Sequence, residues 1–390
     1  MQIFLTLKAV LDIKLLPVYM TEWQDLLIGK GAVMIDIVPY LSRNFNKPQP
    51  SMFGEQCRSL VSLCTTMVEN QLATLLRTSL CPPSTMRGLI NYGTHCSINS
   101  IVQCLYETRE LRDLILCVDE QEYQAHNTVA MNLKALIREM KENDRLPCDP
   151  GFLIDSMSVY SGMSFKIQED SDLVFTCIIN ALADGHRTGK GIGKLWDIEC
   201  EEHMRCLSCN KVRSVLKNAN SIPLLIDGAL PNELQEYMKQ YADNTRTACD
   251  WHCTNCHRKT QLEITSKVVS LPPVVCMKLG RVKNTGRDTA HIVKMGTRFA
   301  FPETVDLKYI MKGPEASVSA IYELYAVVAH CGTHYSGHYT AYLRCGIQGW
   351  YLADDAHVRL CSWADVQNTY EAGSNLYDRV AHTHSVSQTL

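Results

Sequence analysis

Apolar residues along the chain follow one repeat early and another late. In SINSIVQCLYETRELRDLIL, the apolar positions Ile98, Ile101, Val102, Leu105, Leu111, Leu114 and Ile115 recur at three- and four-residue steps. That spacing places one buried stripe on a helix. TVAMNLKALIREM and SDLVFTCIINAL follow the same rule. Later, ELYAVVAH, HYTAYLRC and GWYLAD are rich in β-branched and aromatic residues and are divided by glycine-containing turns, which predicts strands. Helices first and strands afterwards predict an α+β domain.

The first 86 residues are less regular, with breaks at NKPQPSMFG and CPPSTMRG, so a boundary is placed at Met86. Residues 87–372 then form the main domain, and a polar stretch, 373–390, follows. The opening MQIFLTLKAVLDIKLLPVYM is apolar but is interrupted by Lys8, Asp12 and Lys14, and no small-residue cleavage site follows. It reads as a buried helix or strand rather than a signal peptide or membrane span.

With 390 residues, 46% of them hydrophobic, the chain can bury one large core or two smaller ones. A net charge of −3 without long like-charge runs lacks the electrostatic footprint of a nucleic-acid binder. The 18 cysteines and the lack of a secretory signal predict a reducing compartment, cytoplasmic and also open to the nucleus. Thiols in that setting serve as core filler, metal ligands or nucleophiles.

Cys96 stands where the loop NYGTH runs into the first helix. A helix N-terminus beside a base lowers a thiol's pKa, which suits a nucleophile. Candidate bases lie downstream in AHCGTHYSGHYTAYLRC, which supplies His330, His334 and His338, and paired carboxylates follow at Asp354 and Asp355. These are the parts of a Cys-His-Asp site. The rival reading aligns the three histidines on one helical face as metal ligands. Gly332, Ser336 and Gly337 disfavour that helix, and His334 alone reads as a solvated turn residue.

CLSC, with Cys206 and Cys209, and CTNC, with Cys253 and Cys256, form two CxxC knuckles. Four thiolates suit a structural zinc, and two knuckles are far more specific than one. A redox role is the alternative for a lone CxxC. His252 and His257 flank the second pair as possible substitute ligands, and an inserted subdomain must fill the long gap between knuckles.

In this order the motifs resemble those of the ubiquitin-specific proteases, which are papain-like cysteine enzymes. GLINYGTHCSINSIVQCL is similar to their cysteine box, QEDSDLVFTCIINAL to their glutamine-aspartate segment, and GHYTAY with WYLADD to their histidine box. The two knuckles match their zinc-bearing fingers, LPPVVCMKLGRV their Leu-Pro strand and FPETVDL the strand after it. The resemblance implies a hand-shaped fold with a helical thumb, a mixed palm and antiparallel fingers carrying a structural zinc. It implies Cys96 as nucleophile, His338 as general base, Asp354 as the residue orienting it and Asp355 as an aid. Asn91 corresponds to the family's oxyanion-stabilising asparagine, and Gly337 would keep the cleft narrow for a tail ending in Gly-Gly.

The implied reaction is hydrolysis of the bond after the C-terminal glycine of a ubiquitin-like modifier, through an acyl-enzyme thioester. The partners implied are the modifier and its conjugates, with no nucleic acid and no membrane span. Within the family, YELYAVVAHCG and CSWADVQNTY are most similar to the interferon-induced member, which removes a tandem ubiquitin-like modifier, with ubiquitin as the next choice.

The departures are specific. Thr94 and His95 replace the usual Asn-Thr, Ser97 replaces a common aromatic, and LGRV lacks the usual basic-aromatic ending. His95, adjacent to the thiol in sequence, reads as an exposed or packed imidazole rather than a base. After NTY, no apolar strand of the AYLLFY type follows, and the loss of a palm strand would expose sheet edges. These changes motivate the alternative of a catalytically weak or inactive scaffold regulating interferon signalling. The MQIF start matches ubiquitin's first residues, and the match does not continue.

Overall fold

The computed structural model describes residues 2–9, 86–142, 146–185, 187–226, 233–242, 245–284, 292–311, 320–333, 336–345 and 349–370. Strand β1 is Gln2–Ala9, and a helical block follows: α1 (Cys96–Glu107), α2 (Arg109–Leu116), α3 (Val129–Lys141), α4 (Gly151–Ser161), α5 (Ser171–Ala183) and α6 (Thr188–Lys194). Next come β2 (Ile198–Cys206), β3 (Val212–Ala219), β4 (Ile222–Leu225), α7 (Leu234–Ala242), β5 (Thr245–Cys253) and β6 (Arg258–Ser270). The remainder is β7 (Val274–Gly280), β8 (Val282–Asn284), β9 (Ile292–Lys294), β10 (Thr304–Asp306), β11 (Ile321–Gly332), β12 (Gly337–Arg344), β13 (Trp350–Asp354), β14 (His357–Cys361) and α8 (Trp363–Gln367).

The anticipated helices form, except that the stripe expected over Ile98–Ile115 is broken at the extended Thr108 into α1 and α2, and α1 is not amphipathic in its setting. Every residue from Cys96 to Tyr106 is buried, polar Ser97, Asn99, Ser100 and Gln103 included. The cause is position, since α1 packs between the main sheet and the other helices. Its polar residues are accepted there because some find backbone partners, as Gln103 Nε2 does with the Arg87 carbonyl at 2.8 Å. Thr108 ends the helix, its hydroxyl donating to the Cys104 carbonyl at 3.0 Å.

The main sheet runs β14-β13-β12-β11-β1-β7-β4, with β10 paired to β11. Both faces of this sheet are covered, so its inner strands read as continuous apolar runs rather than clean alternation. On β7, Val274 and Cys276 face the helical block, while Val275, Met277 and Leu279 join a second core with Tyr237, Met238, Phe299 and Phe301. On β11, Ala326 and Val328 face the first core and Leu324 and Val327 the second.

Of the opening segment, residues 2–9 take the strand form of its two sequence readings, and the rest lies outside the described residues. β1 pairs antiparallel with β11 on one side and with β7 on the other. Residues 2–9 therefore belong to the same compact unit as the described residues from 86 onward. Physically, sheet pairing decides membership here rather than chain proximity. The polar stretch 373–390, and with it the expected absence of a closing strand, lies outside the described residues, as does His334.

A second sheet, ordered β3-β2-β6-β5, carries the knuckles as its hairpin turns. Cys206 ends β2 and Cys253 ends β5, and each second cysteine lies in the turn that follows. The long gap between knuckles is filled by β3, β4, α7 and β5, of which β4 leaves this sheet to pair in parallel with β7. Among the described residues, no helix is long and apolar enough to cross a membrane.

Candidate active site and metal centre

Cys96 is the first residue of α1 and is only 2% exposed. No acidic residue occupies the first turn, so the positive end of the helix dipole is left to act on the thiol. The preceding loop is tied down on both sides. Leu89 N–H donates to the Asp355 carbonyl at 2.8 Å, and Ile90 N–H donates to the Cys148 carbonyl at 2.9 Å. Gly88 admits no side chain, because a Cβ there would lie 2.2 Å from the Ala356 carbonyl oxygen. Backbone contact thus presses the cysteine loop onto the β13–β14 turn.

His338 is on β12 and Asp354 ends β13. His338 Nε2 lies 2.6 Å from Asp354 Oδ1, and the imidazole and the Cys96 thiol interact closely enough to shift each other's pKa. With Nε2 held by the carboxylate, Nδ1 is the nitrogen left to serve the sulfur. The first and last of the three histidines sit on neighbouring antiparallel strands, His330 on β11 and His338 on β12, so these two do not share a helical face. His95 is buried and packs edge-on against Tyr92, ring centroids 6.0 Å apart.

Asp355 plays a different part from its neighbour. One oxygen accepts from Asn91 Nδ2 and the other from Asn99 Nδ2, each at 2.8 Å, and the residue adopts a left-handed φ of 50°. His338 Nε2 lies 3.9 Å away from it. Asn91 in turn accepts the N–H groups of Gly93 and His95 at 2.8 and 3.1 Å, which shapes the loop before the thiol.

Two of these residues were not singled out as site residues by sequence reasoning. Asn99 was visible only as a polar residue within an apolar helical pattern. Gln168 lies in the glutamine-aspartate segment, and its Nε2 is 3.3 Å from Cys96 Sγ. The same amide grips Gly337 from both sides, donating to its carbonyl and accepting its N–H at 3.1 Å. Gly337 is confined as well, since a Cβ would meet the Cys331 carbonyl oxygen at 2.1 Å and His330 Nε2 at 2.2 Å.

The electrostatics match the geometry. Burial pushes the Cys96 thiol up, but hydrogen bonds from His338, the Tyr339 backbone and Gln168 outweigh it, and the net shift is downward. His338 rises to about 10, chiefly through its hydrogen bond to Asp354 and then that to Cys96. Asp354 falls below the usual carboxylate range, first through His338. A lowered thiol beside a raised imidazole favours the thiolate–imidazolium pair, the nucleophilic form of such a site.

The family model described as Ubiquitin carboxyl-terminal hydrolase matches residues 87–377. The chain belongs to the ubiquitin carboxyl-terminal hydrolase family. It is a cysteine-type peptidase acting on ubiquitin or ubiquitin-like proteins. The mouse (Mus musculus) Ubl carboxyl-terminal hydrolase 18 is 28% identical over 306 residues, which span 74% of this chain and 82% of that protein. The human (Homo sapiens) protein of the same name is 24% identical over 307 residues, spanning 74% and 81%. Ubiquitin carboxyl-terminal hydrolase 48 of Danio rerio is 25% identical over 289 residues, 70% of this chain and 27% of that protein.

In this hydrolase the four knuckle cysteines converge, and their sulfurs all lie within 4.8 Å of one another. Cys206 and Cys256 sulfurs are 3.9 Å apart, and those of Cys209 and Cys253 are 3.8 Å apart. A tetrahedron of Zn–S bonds about 2.3 Å long has edges of about 3.8 Å, so the spacing fits such an ion. Asn210 and His257, directly after each second cysteine, take left-handed φ values of 57° and 52°, which turn the chain back around the sulfurs. Neither His252 nor His257 joins the group, because the second knuckle turns with only its cysteines inward. The Thr260 hydroxyl lowers Cys206 to about 6 while neighbouring thiols raise Cys256 to about 12, so a cation is what would hold all four as thiolates.

Proposed function

We propose that this hydrolase cleaves the bond after the C-terminal glycine of a ubiquitin-like modifier, with Cys96 as nucleophile, His338 as general base and Asp354 as the group that orients and charges it. The observation that carries the reading is the His338–Asp354 hydrogen bond at 2.6 Å together with the downward shift that His338 imposes on the Cys96 thiol at the start of α1. The Cys96 thiolate attacks the glycine carbonyl carbon. Charge forming on the carbonyl oxygen meets the dipole of the first turn of α1, the Gln168 amide and the second Asn91 amide proton, the first being held by Asp355. Collapse expels the lysine amine, which takes the proton from the His338 imidazolium and leaves a thioester. Water, deprotonated by His338, then attacks the thioester, releasing the modifier's carboxylate and restoring the thiol.

The helical block, the main sheet and the cysteine-tipped sheet correspond in this reading to thumb, palm and fingers, with the modifier's body resting on the last two. Zinc at Cys206, Cys209, Cys253 and Cys256 would pin the two finger hairpins together and leave no open coordination position for catalysis. Among modifiers, the interferon-stimulated tandem ubiquitin-like protein is preferred over ubiquitin. The similarity to the two Ubl carboxyl-terminal hydrolase 18 proteins supports this choice, as do the YELYAVVAHCG and CSWADVQNTY stretches. The thiol-rich composition agrees with work in the cytoplasm.

The test is labelling of the purified chain with two probes, ubiquitin and the tandem modifier, each ending in a thiol-reactive group, with Cys96→Ala as control. A mass increase absent from the control, and larger with the tandem probe, is expected. Labelling that persists in Cys96→Ala would overturn the nucleophile assignment, and a preference for ubiquitin would overturn the choice of modifier.

A further inference from the structure

Lys294 closes β9 beside the turn that carries the histidine box, and its ammonium is fully used there. Nζ lies 2.9 Å from His330 Nδ1 and 3.0 Å from each of the His330 and Gly332 carbonyl oxygens. An ammonium has three protons and accepts none, so three acceptors saturate it and His330 Nδ1 must be the unprotonated nitrogen. The His330 proton therefore sits on Nε2. The ring is 7% exposed and lies against Tyr339, centroids 4.6 Å apart. Its Nε2 edge abuts Gly337, where a Cβ would come within 2.2 Å of that nitrogen.

Gly337 is the residue whose N–H and carbonyl Gln168 grips, and Gln168 Nε2 reaches Cys96 Sγ. His338 and Tyr339 follow directly, the first serving as base and both helping to lower the pKa of the thiol. We propose that Lys294 is a positioning residue for the reaction: it locks the tautomer and orientation of His330 and the carbonyls ending β11, and thereby sets the Gly337–Tyr339 backbone against Cys96. The proposal rests on the assignment of Cys96 and His338 given above.

The contact is also sensitive to protonation. Burial lowers Lys294 to about 8, with the Cys331 thiol opposing and the Arg281 guanidinium adding to the shift. Burial and Lys294 hold His330 down at about 3, so it is neutral throughout. Loss of the Lys294 proton removes one of its three donors and leaves a buried acceptor unmet.

The experiment compares wild type, Lys294→Met, Lys294→Arg and Cys96→Ala in turnover of a ubiquitin-like fusion from pH 6 to 10. The ring nitrogens of His330 are followed by 15N NMR alongside. Wild type is expected to lose kcat on an alkaline limb near pH 8 and to hold the Nε2–H tautomer below it. Lys294→Met is expected to lose on the order of tenfold in kcat with KM little changed, to lack that limb and to mix His330 tautomers. Lys294→Arg keeps the charge, so the limb vanishes while the single tautomer remains. An unchanged kcat in folded Lys294→Met, or an unchanged His330 tautomer in that variant at any pH, would overturn the positioning role. Turnover surviving in Cys96→Ala would instead overturn the underlying assignment, so the two failures are distinguishable.

Discussion

His338 Nε2 lies 2.6 Å from Asp354 Oδ1 and 3.9 Å from Asp355 Oδ2, so two adjacent carboxylates serve one histidine unequally. Asp354 makes the direct bond. Asp355 is turned to Asn91 and Asn99, and through them it joins the β13–β14 turn to the loop and helix that carry the thiol.

Substitution should separate the two roles. In Asp354→Asn the imidazolium loses its principal stabilising partner, and kcat is expected to fall on the order of a hundredfold with little change in melting temperature. Asp355→Asn leaves one of the two donor amides facing another NH2 group, which is expected to destabilise the fold by ~1–3 kcal/mol with a smaller kcat loss. Parallel melting curves and turnover measurements check this. Equal kcat losses in both variants would contradict the division.

The pH dependence follows from the direction of each shift. The thiol of Cys96 is lowered and His338 is raised to about 10. Alkylation of Cys96 by iodoacetamide is therefore expected to begin at a pH below that of an ordinary thiol and to hold a plateau until the imidazolium loses its proton. In His338→Ala the charged partner is gone and burial is opposed only by the Tyr339 backbone and Gln168, so the onset must move up toward the ordinary thiol range. An onset that stays put in the variant would mean that the helix terminus, rather than the imidazole, sets the thiol.

Much of this site was legible because its chemistry is concentrated in short motifs. A cysteine where loop becomes helix, a histidine between a glycine and an aromatic-rich strand run, and a carboxylate pair closing GWYLADD all carry local signals. Gln168 and Lys294 were less so, since each acts by gripping backbone groups distant in sequence, and neither lies in a pattern whose period marks it. The helical stripe of α1 was read correctly as apolar yet incompletely, because burial on all sides depends on what packs there. β1 was left open between helix and strand, as its pairing partners are β7 and β11, hundreds of residues away.

The cysteine quartet is expected to bind one zinc ion per chain, measurable by metal analysis of protein purified without added metal. Any single change such as Cys206→Ser should lose the ion and lower the melting temperature, since the two hairpins of the β3-β2-β6-β5 sheet share no other covalent or coordinate link at their tips. Small-electrophile alkylation of Cys96 should persist, because Cys96 belongs to the core of the helical block and main sheet rather than to that sheet. Full zinc retention in Cys206→Ser would argue against the four-sulfur site.

β1 allows a sharper test of the main sheet. Leu5 pairs with Val327 of β11 on one side and with Met277 of β7 on the other, so the strand lies in the sheet interior with neighbours on both edges. Without it, β7 and β11 would each carry an unpaired row of N–H and carbonyl groups between two apolar cores. Proline at Leu5 deletes a ladder donor and fixes φ away from the strand value, and is expected to cost ~3 kcal/mol or more. Gln2→Pro, at the first residue of the strand, should be tolerated. Because β11 also pairs with the His338 strand, with Cys331 opposite His338, Leu5→Pro should lower turnover as well as the melting temperature. Hydrogen exchange adds the mechanism: β7 and β11 amides should lose protection together in Leu5→Pro and keep it in Gln2→Pro. Wild-type protection of both strands in Leu5→Pro would show that the sheet holds its catalytic edge without β1.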